Sequence, residues 1–269
     1  MIAEKHNGNG QDSASGAHLV LVGIGNSRIA VASWKNDRRG AAQHFEITRL
    51  SDALDELQAI WNSFPAGVER AIVVSSVNPP RLAEFRTECK TRHLEPLLVV
   101  GDELDLPLPV DLPEPGKVGT DRLCAAAAAF AKVKSACVVA DFGTAVTIDL
   151  VADDGAFLGG AILPGMAMSA RALHEYTAQL PLVELSPPTE IVGKNTVSAI
   201  RGGISAMMTG ALREITERYA TDIGKWPPLI VTGGDAETIA AACDFIDRVV
   251  PDLALDGLVI AYQATKSKP

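Results

Sequence analysis

The sequence predicts an α/β protein of two similar lobes, each a mixed sheet flanked by helices. Three observations carry this. The same short motif is written twice: apolar run 18–22 leads into Gly23-Ile24-Gly25-Asn26-Ser27 and resumes over 29–34, and apolar run 136–140 leads into Asp141-Phe142-Gly143-Thr144-Ala145 and resumes over 146–151. Each copy reads as a strand, a glycine-bearing loop and a returning strand. Beyond the second copy, a strand triplet is followed by alternating helical and strand patterns. Between the copies, residues 102–117 carry Pro107, Pro109, Pro113 and Pro115 with no clear period, which marks a junction between lobes.

The elements follow in order. The strand pair over 18–34 is joined by a strand over 41–50. A helix spans 51–64, with Ser51 as its cap and Leu54, Leu57 and Ile60 as its apolar stripe. A strand over 71–75 stops at Asn78-Pro79-Pro80, and a helix over 81–92 and a strand over 96–100 complete the first lobe. The second lobe opens with a helix over 121–133, so rich in alanine that it must pack closely against something. Strands near 136–141, 144–151 and 156–162 form a meander, with Asp153-Asp154-Gly155 as a hairpin turn. Helices over 165–178 and 195–219, a strand over 229–232, a helix ending at Cys243, a strand over 248–250 and a helix from Ala254 complete the chain. The expected organisation is a disordered extension over 1–17, a first lobe over 18–117 and a second over 118–269.

Composition narrows the function. The chain has 269 residues, 47% of them hydrophobic, enough for a large core. Its 33 acidic and 24 basic residues give a net charge of −9, which argues against a nucleic-acid or anionic-membrane partner. No apolar run reaches the roughly 20 residues of a spanning helix, and residues 1–16 lack the apolar centre of a signal peptide. The expected compartment is the cytoplasm. Cys89, Cys124, Cys137 and Cys243 form no CxxC pair and read as structural thiols, and the five histidines have no metal-ligand spacing.

Facing glycine loops bring backbone N–H groups close to an anion, because glycine has no Cβ to keep a ligand away. In the duplicated motif Gly23 falls on Asp141, Gly25 on Gly143 and Asn26 on Thr144. Two such loops, with Ser27 beside the first, would hold a nucleoside triphosphate between the lobes, the plan of the actin-like, sugar-kinase-like ATPases with ribonuclease-H-like lobes. Gly119-Thr120-Asp121-Arg122 begins a helix just after the proline-rich junction. Two readings stand for it. Asp121 is a helix cap and Arg122 a solvated charge, or Asp121 accepts a substrate hydroxyl proton while Arg122 and free backbone N–H groups fix an anionic substrate. Asp141 ends a buried strand, where an acid is expensive unless it meets a cation or several donors, so a metal or monovalent cation is expected there. Gly159-Gly160 reads either as backbone open to a ligand or as a bulge, and Gly233-Gly234-Asp235 is placed to approach an adenine or ribose.

The set Gly-x-Gly-Asn-Ser from Gly23, Gly119-Thr120-Asp121-Arg122, Asp141-Phe142-Gly143-Thr144-Ala145, Gly-Gly-x-Ile-x-Pro-Gly from Gly159, Gly193-Lys194-Asn195-Thr196, Thr232-Gly233-Gly234-Asp235 and Pro251-Asp252-Leu253-x-Leu255-x-Gly257-Leu258 resembles type III pantothenate kinase over nearly the whole chain. The resemblance implies ATP-dependent phosphorylation of pantothenate, the first step towards coenzyme A. It also implies Mg2+, a monovalent cation (K+ or NH4+), and a homodimer with its active site near the subunit interface. Carried onto matching positions, it makes Asp121 the base, Gly119, Thr120, Asp121 and Arg122 the pantothenate-contacting segment and Thr196 a second substrate contact. Gly23, Gly25, Asn26, Ser27 and Thr144 contact ATP, and Asp141 is a cation ligand. Two positions depart from the family pattern: Gly23, where the family has aspartate, and Leu112, where it often has tyrosine. They leave two alternatives open, a catalytically impaired binding or regulatory protein of this fold and a kinase of another small hydroxy acid.

Overall fold

The computed structural model describes residues 16–188 and 190–266; the expected N-terminal extension lies outside them but for Gly16 and Ala17. The first sheet comprises β1 (His18–Ile24), β2 (Arg28–Lys35), β3 (Arg38–Arg39), β4 (Gln43–Glu46), β5 (Arg70–Ser76) and β6 (Leu97–Val99). Its order is β3-β2-β1-β5-β6 with β4 also on β2, and β1 runs antiparallel to β2 but parallel to β5. The second sheet comprises β7 (Cys137–Phe142), β8 (Ala145–Val151), β9 (Phe157–Pro164), β10 (Leu229–Thr232) and β11 (Arg248–Val249) in the order β11-β10-β7-β8-β9. Here β7 runs antiparallel to β8 and parallel to β10. The two sheets therefore share one topology, β7 taking the place of β1, β8 of β2 and β10 of β5. The register keeps the correspondence: Gly23 lies between Ala30 and Ser75, and Asp141 between Thr147 and Thr232.

Alternation along the strands assigns the faces. Val20, Val22 and Ile24 join Leu54, Leu57 and Trp61 of α1 (Leu50–Ser63) and Phe85 of α2 (Pro79–Thr91) in one core. Leu19 and Leu21 point the other way, onto Cys124 of α3 (Thr120–Val133) and Leu255, Leu258 and Tyr262 of α7 (Leu253–Lys266). In the second sheet Cys137 and Val139 face the same two helices. Val138 and Ala140 face α4 (Met166–Glu175), α5 (Thr196–Ile223) and α6 (Ala236–Ala240). Helices α3 and α7 thus form a shared central layer between the sheets, and Gly23 and Asp141 both point towards it. No helix among the described residues is long and apolar enough to cross a membrane.

The alanine run explains that layer. Ala125, Ala126, Ala127, Ala128 and Ala129 are all buried, and α7 crosses α3 so closely that a Cβ on Gly257 would stand 2.2 Å from the Cys124 carbonyl oxygen. Only small side chains permit this approach.

Several elements depart from expectation. Helix α1 begins at Leu50, with Arg49 at its N-cap and no side-chain cap, so Ser51 lies inside the helix; buried Leu50 draws the chain into helix early and shortens the preceding strand to Gln43–Glu46. The proline-rich junction does pair: Val100 bridges Leu104, and Val110 bridges Phe157, whose N–H donates to the Pro109 carbonyl at 2.8 Å. Helix α6 stops at Ala240 rather than Cys243.

Gly257→Ala is expected to lower stability by about 1–3 kcal/mol, the usual cost of overfilling a close-packed crossing. Thermal unfolding of the variant beside wild type checks this; an unchanged midpoint would mean that the two helices can move apart at little cost.

Candidate active site

The cleft lies at the carboxyl ends of β1, β5, β7 and β10, where open α/β sheets gather ligands. After β1 the chain turns through Gly25, Asn26 and Ser27, with the Gly25 N–H donating to the Arg28 carbonyl at 2.9 Å. After β7 it turns through Gly143 and Thr144, with the Gly143 N–H donating to the Ala145 carbonyl at 3.1 Å. The two turns meet: the Thr144 hydroxyl donates to the Ser27 hydroxyl at 2.9 Å. The duplicated motif therefore forms two loops that face each other across the cleft.

Other glycines serve packing. Gly165 donates to the Thr144 carbonyl at 3.1 Å, and a Cβ there would fall 2.3 Å from the Gly143 oxygen. Gly233, at φ +98°, covers Asp141; a Cβ on it would fall 2.4 Å from Asp141 Oδ1. Gly159, also at φ +98°, lies at a register shift of β9 against β8, so the bulge reading of this pair holds. A Cβ on Gly160 would fall 2.2 Å from Asp149 Oδ1, so glycine there makes room for a carboxylate of the chain itself.

That carboxylate is the residue the sequence reading missed. Asp149 stands on the inner face of β8, its side chain 3% exposed, opposite Gly160. Arg122 donates to it from Nε at 3.1 Å and also from Nη2. Arg122 is consequently not a solvated charge: its side chain is 15% exposed and also lies over the Phe157 ring at 5.5 Å. The signal was present as one acid within the apolar run Val146–Val151.

Gly119 to Arg122 gather where α3 begins. Gly119 is the N-cap and makes no side-chain cap. The Thr120 hydroxyl donates to the Ser76 carbonyl at 3.2 Å, tying α3 to the end of β5. Asp121 Oδ1 folds back over Gly119 and accepts the Arg122 backbone N–H at 2.8 Å. Asp121 thus binds a free N–H of the first turn without being the cap. Burial pushes its carboxyl above the ordinary range, opposed by that N–H and by the Arg122 charge. Burial likewise raises Asp149, opposed by Arg122.

Among the described residues Asp141 has no such partner. Burial first, then the charges of Asp121, Asp149 and Asp252, push its carboxyl up to about 7. Among the described residues no group of three or more His, Cys, Asp or Glu could hold a metal alone. Mg2+ usually keeps several waters and is held by one or two carboxylates together with substrate phosphates. Asp141, with the Thr144 hydroxyl in the loop after it, fits that mode. A bound cation would also relieve the crowding of negative charge.

The two departures do not disturb the fold. At Gly23 a Cβ would meet Leu255 Cδ2 at 3.4 Å and Ala30 Cβ at 3.9 Å, ordinary contacts on strand backbone. Leu112 packs beside Gly159, its Cδ2 3.1 Å from where a Cβ on that glycine would stand. Thr196 lies at the start of α5. It lines a cavity of about 950 Å³ between α4 and α5, with Leu173, Tyr176, Lys194, Ile200 and Met207, and none of Gly119 to Arg122 lines that cavity. Of the thiols, Cys89, Cys124 and Cys137 are buried and Cys243 is partly so.

Two sheets of one topology, paired glycine loops and an acid at the start of the central helix define a two-lobed phosphotransferase of the actin-like class. Solved structures share the fold: a putative Baf family transcriptional activator from Campylobacter jejuni (TM-score 0.58, 19% identity, covering 92% of this chain and 98% of that one). A putative 2-dehydro-3-deoxygalactonokinase from Sinorhizobium meliloti gives TM-score 0.56 at 13% identity over 94% of this chain and all of that one. The sequence profile of type III pantothenate kinase matches residues 19–218. Type III pantothenate kinases of Dehalococcoides mccartyi and of a Roseiflexus species are 35% and 34% identical, covering 93% of this chain in each case and 98% and 100% of theirs. The chain belongs to the type III pantothenate kinase family and is a kinase.

The Asp141 carboxyl makes stability depend on pH. Its folded-state value lies near 7 against an ordinary 3.8, so the folded chain keeps a proton that the unfolded chain releases. Stability from this group is therefore full at low pH and lost as pH rises through that window. In metal-free buffer Asp141→Asn should gain stability relative to wild type between pH 5 and pH 8, on the order of 2 kcal/mol. Denaturant titrations at the two pH values measure it; no relative gain would show that Asp141 already has a cationic partner within the protein.

Proposed function

We propose that the chain transfers the γ-phosphoryl group of ATP to the primary hydroxyl of pantothenate, giving 4'-phosphopantothenate on the way to coenzyme A. The observation that carries this reading is Asp121: a carboxylate with a raised pKa, at the start of α3, close enough to Asp141 for their charges to repel. In this reading Asp121 accepts the hydroxyl proton as the new P–O bond forms. A base with a pKa lifted towards neutrality does so better than an ordinary carboxylate. Gly119 and Thr120 shape the wall beside it. Arg122, held on one edge by Asp149, offers the other edge to the substrate's carboxylate. Gly25, Asn26, Ser27 and Thr144 receive the phosphates, and Gly23 leaves the floor of the first loop open. A divalent cation, held by Asp141 and the phosphates, would neutralise charge during transfer; a monovalent cation, K+ or NH4+, is assigned to the same acidic end of β7.

The rest of the reading concerns organisation. We take residues 18–117 and 118–269 as the two lobes, supported by one sheet falling in each. The enzyme is taken as cytoplasmic, without a nucleic-acid or membrane partner. A homodimer is assigned through α4 and α5, where Tyr176 and Met207, 86% and 40% exposed, line the same cavity as Thr196, and Met168 is 43% exposed on α4. Met208, at 2%, belongs to the core. Thr196 would be a substrate contact only with that face assembled. Light scattering at micromolar concentration should give twice the chain mass; a monomer would remove the shared-interface role of Thr196.

Asp121→Asn keeps the shape of the side chain but cannot take the proton. Its turnover in a coupled assay with ATP and pantothenate should fall below about a tenth of wild type, a barrier increase above roughly 1.4 kcal/mol, while its fold and ATP binding persist. A variant that keeps more than that would make Asp121 a structural acid of the first helical turn.

A further inference from the structure

Arg28 follows the first loop as the opening residue of β2, and its side chain reaches the Gly233-Gly234-Asp235 loop. Its Nη1 lies 2.9 Å from where a Cβ on Gly234 would stand, and its charge acts on the Asp235 carboxyl, opposing the rise that burial causes. Its backbone follows Ser27, which meets Thr144, and its guanidinium lies at the Gly233-Gly234-Asp235 loop, so the residue links the first glycine loop to that third one. Three cations around the central layer are already held. Arg122 is held by Asp149, while Arg39 and Lys132 are held by Asp256, with Arg39 also reaching Asp252. Arg28 is exposed, and among the described residues no carboxylate lies within ion-pair distance of it. An unpaired guanidinium stretched between two glycine loops, above a floor that carries Asp121, Asp141 and Asp149, is suited to an anion that enters from outside.

We propose that Arg28 is a phosphate-binding residue for the nucleotide, and that it supplies directly the charge neutralisation that a metal-binding acid at position 23 would supply indirectly. The proposal rests on the kinase reading above. Gly23 offers no carboxylate through which a metal could draw the triphosphate to the first loop. A guanidinium on the same loop binds phosphate oxygens without a metal between them, through paired N–H donors that an ammonium lacks. Arginine at position 28 and glycine at position 23 are two parts of one arrangement, in which the first loop holds the triphosphate by cation and backbone and the second loop, with Asp141, holds the metal.

Calorimetric titration of the full chain with a non-hydrolysable ATP analogue, with and without Mg2+, tests this independently of turnover. Arg28→Ala should weaken binding by about tenfold or more, the worth of a charge-assisted hydrogen bond. The same variant should bind adenosine as wild type does, and Arg28→Lys should recover part of the loss. KM for pantothenate should not change, and an unaltered melting temperature would show that the fold is intact. In the Arg28→Ala background, Gly23→Asp should restore affinity only when Mg2+ is present. An analogue affinity within twofold of wild type in Arg28→Ala overturns the proposal, as does an equal loss for adenosine, which would place Arg28 on the base or ribose. Failure of the kinase reading looks different. A wild-type chain that binds the analogue through Arg28 but does not phosphorylate pantothenate leaves this proposal standing, whereas one that binds no analogue ends both.

Discussion

The close crossing of α3 and α7 is the constraint on which the other features depend. With Gly257 set against the Cys124 backbone and alanines filling the rest of α3, the central layer is thin and has little freedom to expand. Both sheets lie on it, so its thickness fixes how far β1 stands from β7. That spacing brings Ser27 to 2.9 Å from Thr144. The same helix, α3, carries Asp121 and Arg122 on its first turn. One packing decision thus sets the width of the cleft and aims the groups within it, and the buried hydrocarbon of four cores holds the arrangement together.

Charge is arranged on that frame with one compensated and one uncompensated acid. Asp149 is deep and paired, and Gly160 exists to accommodate it. Breaking such a pair leaves a buried charge behind, which is far more costly than the pair itself is stabilising. Asp141, on the same face, has no cationic partner among the described residues and is crowded by Asp121, Asp149 and Asp252. This is the place where the proposed function puts a cation. A paired acid such as Asp149 fixes geometry, whereas a crowded one such as Asp141 is eased by any positive charge that reaches it.

Much of this could be read from the chain because duplication leaves a strong signature. The match of Gly23 to Asp141 and of Gly25 to Gly143, seen in the letters, reappears as equivalent positions on β1 and β7 and in the turns that follow them, and the alanine run did announce a close contact. Local signals did less well. Ser51 had the chemistry of a cap, but buried Leu50 started the helix first. The proline-rich junction lacked a period, yet Val110 found an edge at Phe157, because pairing across a long separation leaves no mark in a short window. Asp149 and Arg122 meet only in three dimensions, so neither spacing nor composition could join them. Thr196 belongs to a matching motif and lines the cavity between α4 and α5, whose lining includes none of Gly119 to Arg122.

Helix α7 has a consequence for how the molecule is made. Its Leu255, Leu258 and Tyr262 cover Leu19, Leu21 and Val73, residues that leave the ribosome long before it does. At ordinary elongation rates, roughly ten to thirty seconds separate completion of the first sheet from arrival of the helix that covers its inner face. During that interval the nascent chain has α3, but not α7, to lay on that apolar face. Expression of this protein should therefore be governed less by the stability of the finished molecule than by how well the cell shields an early half that is waiting for its last helix.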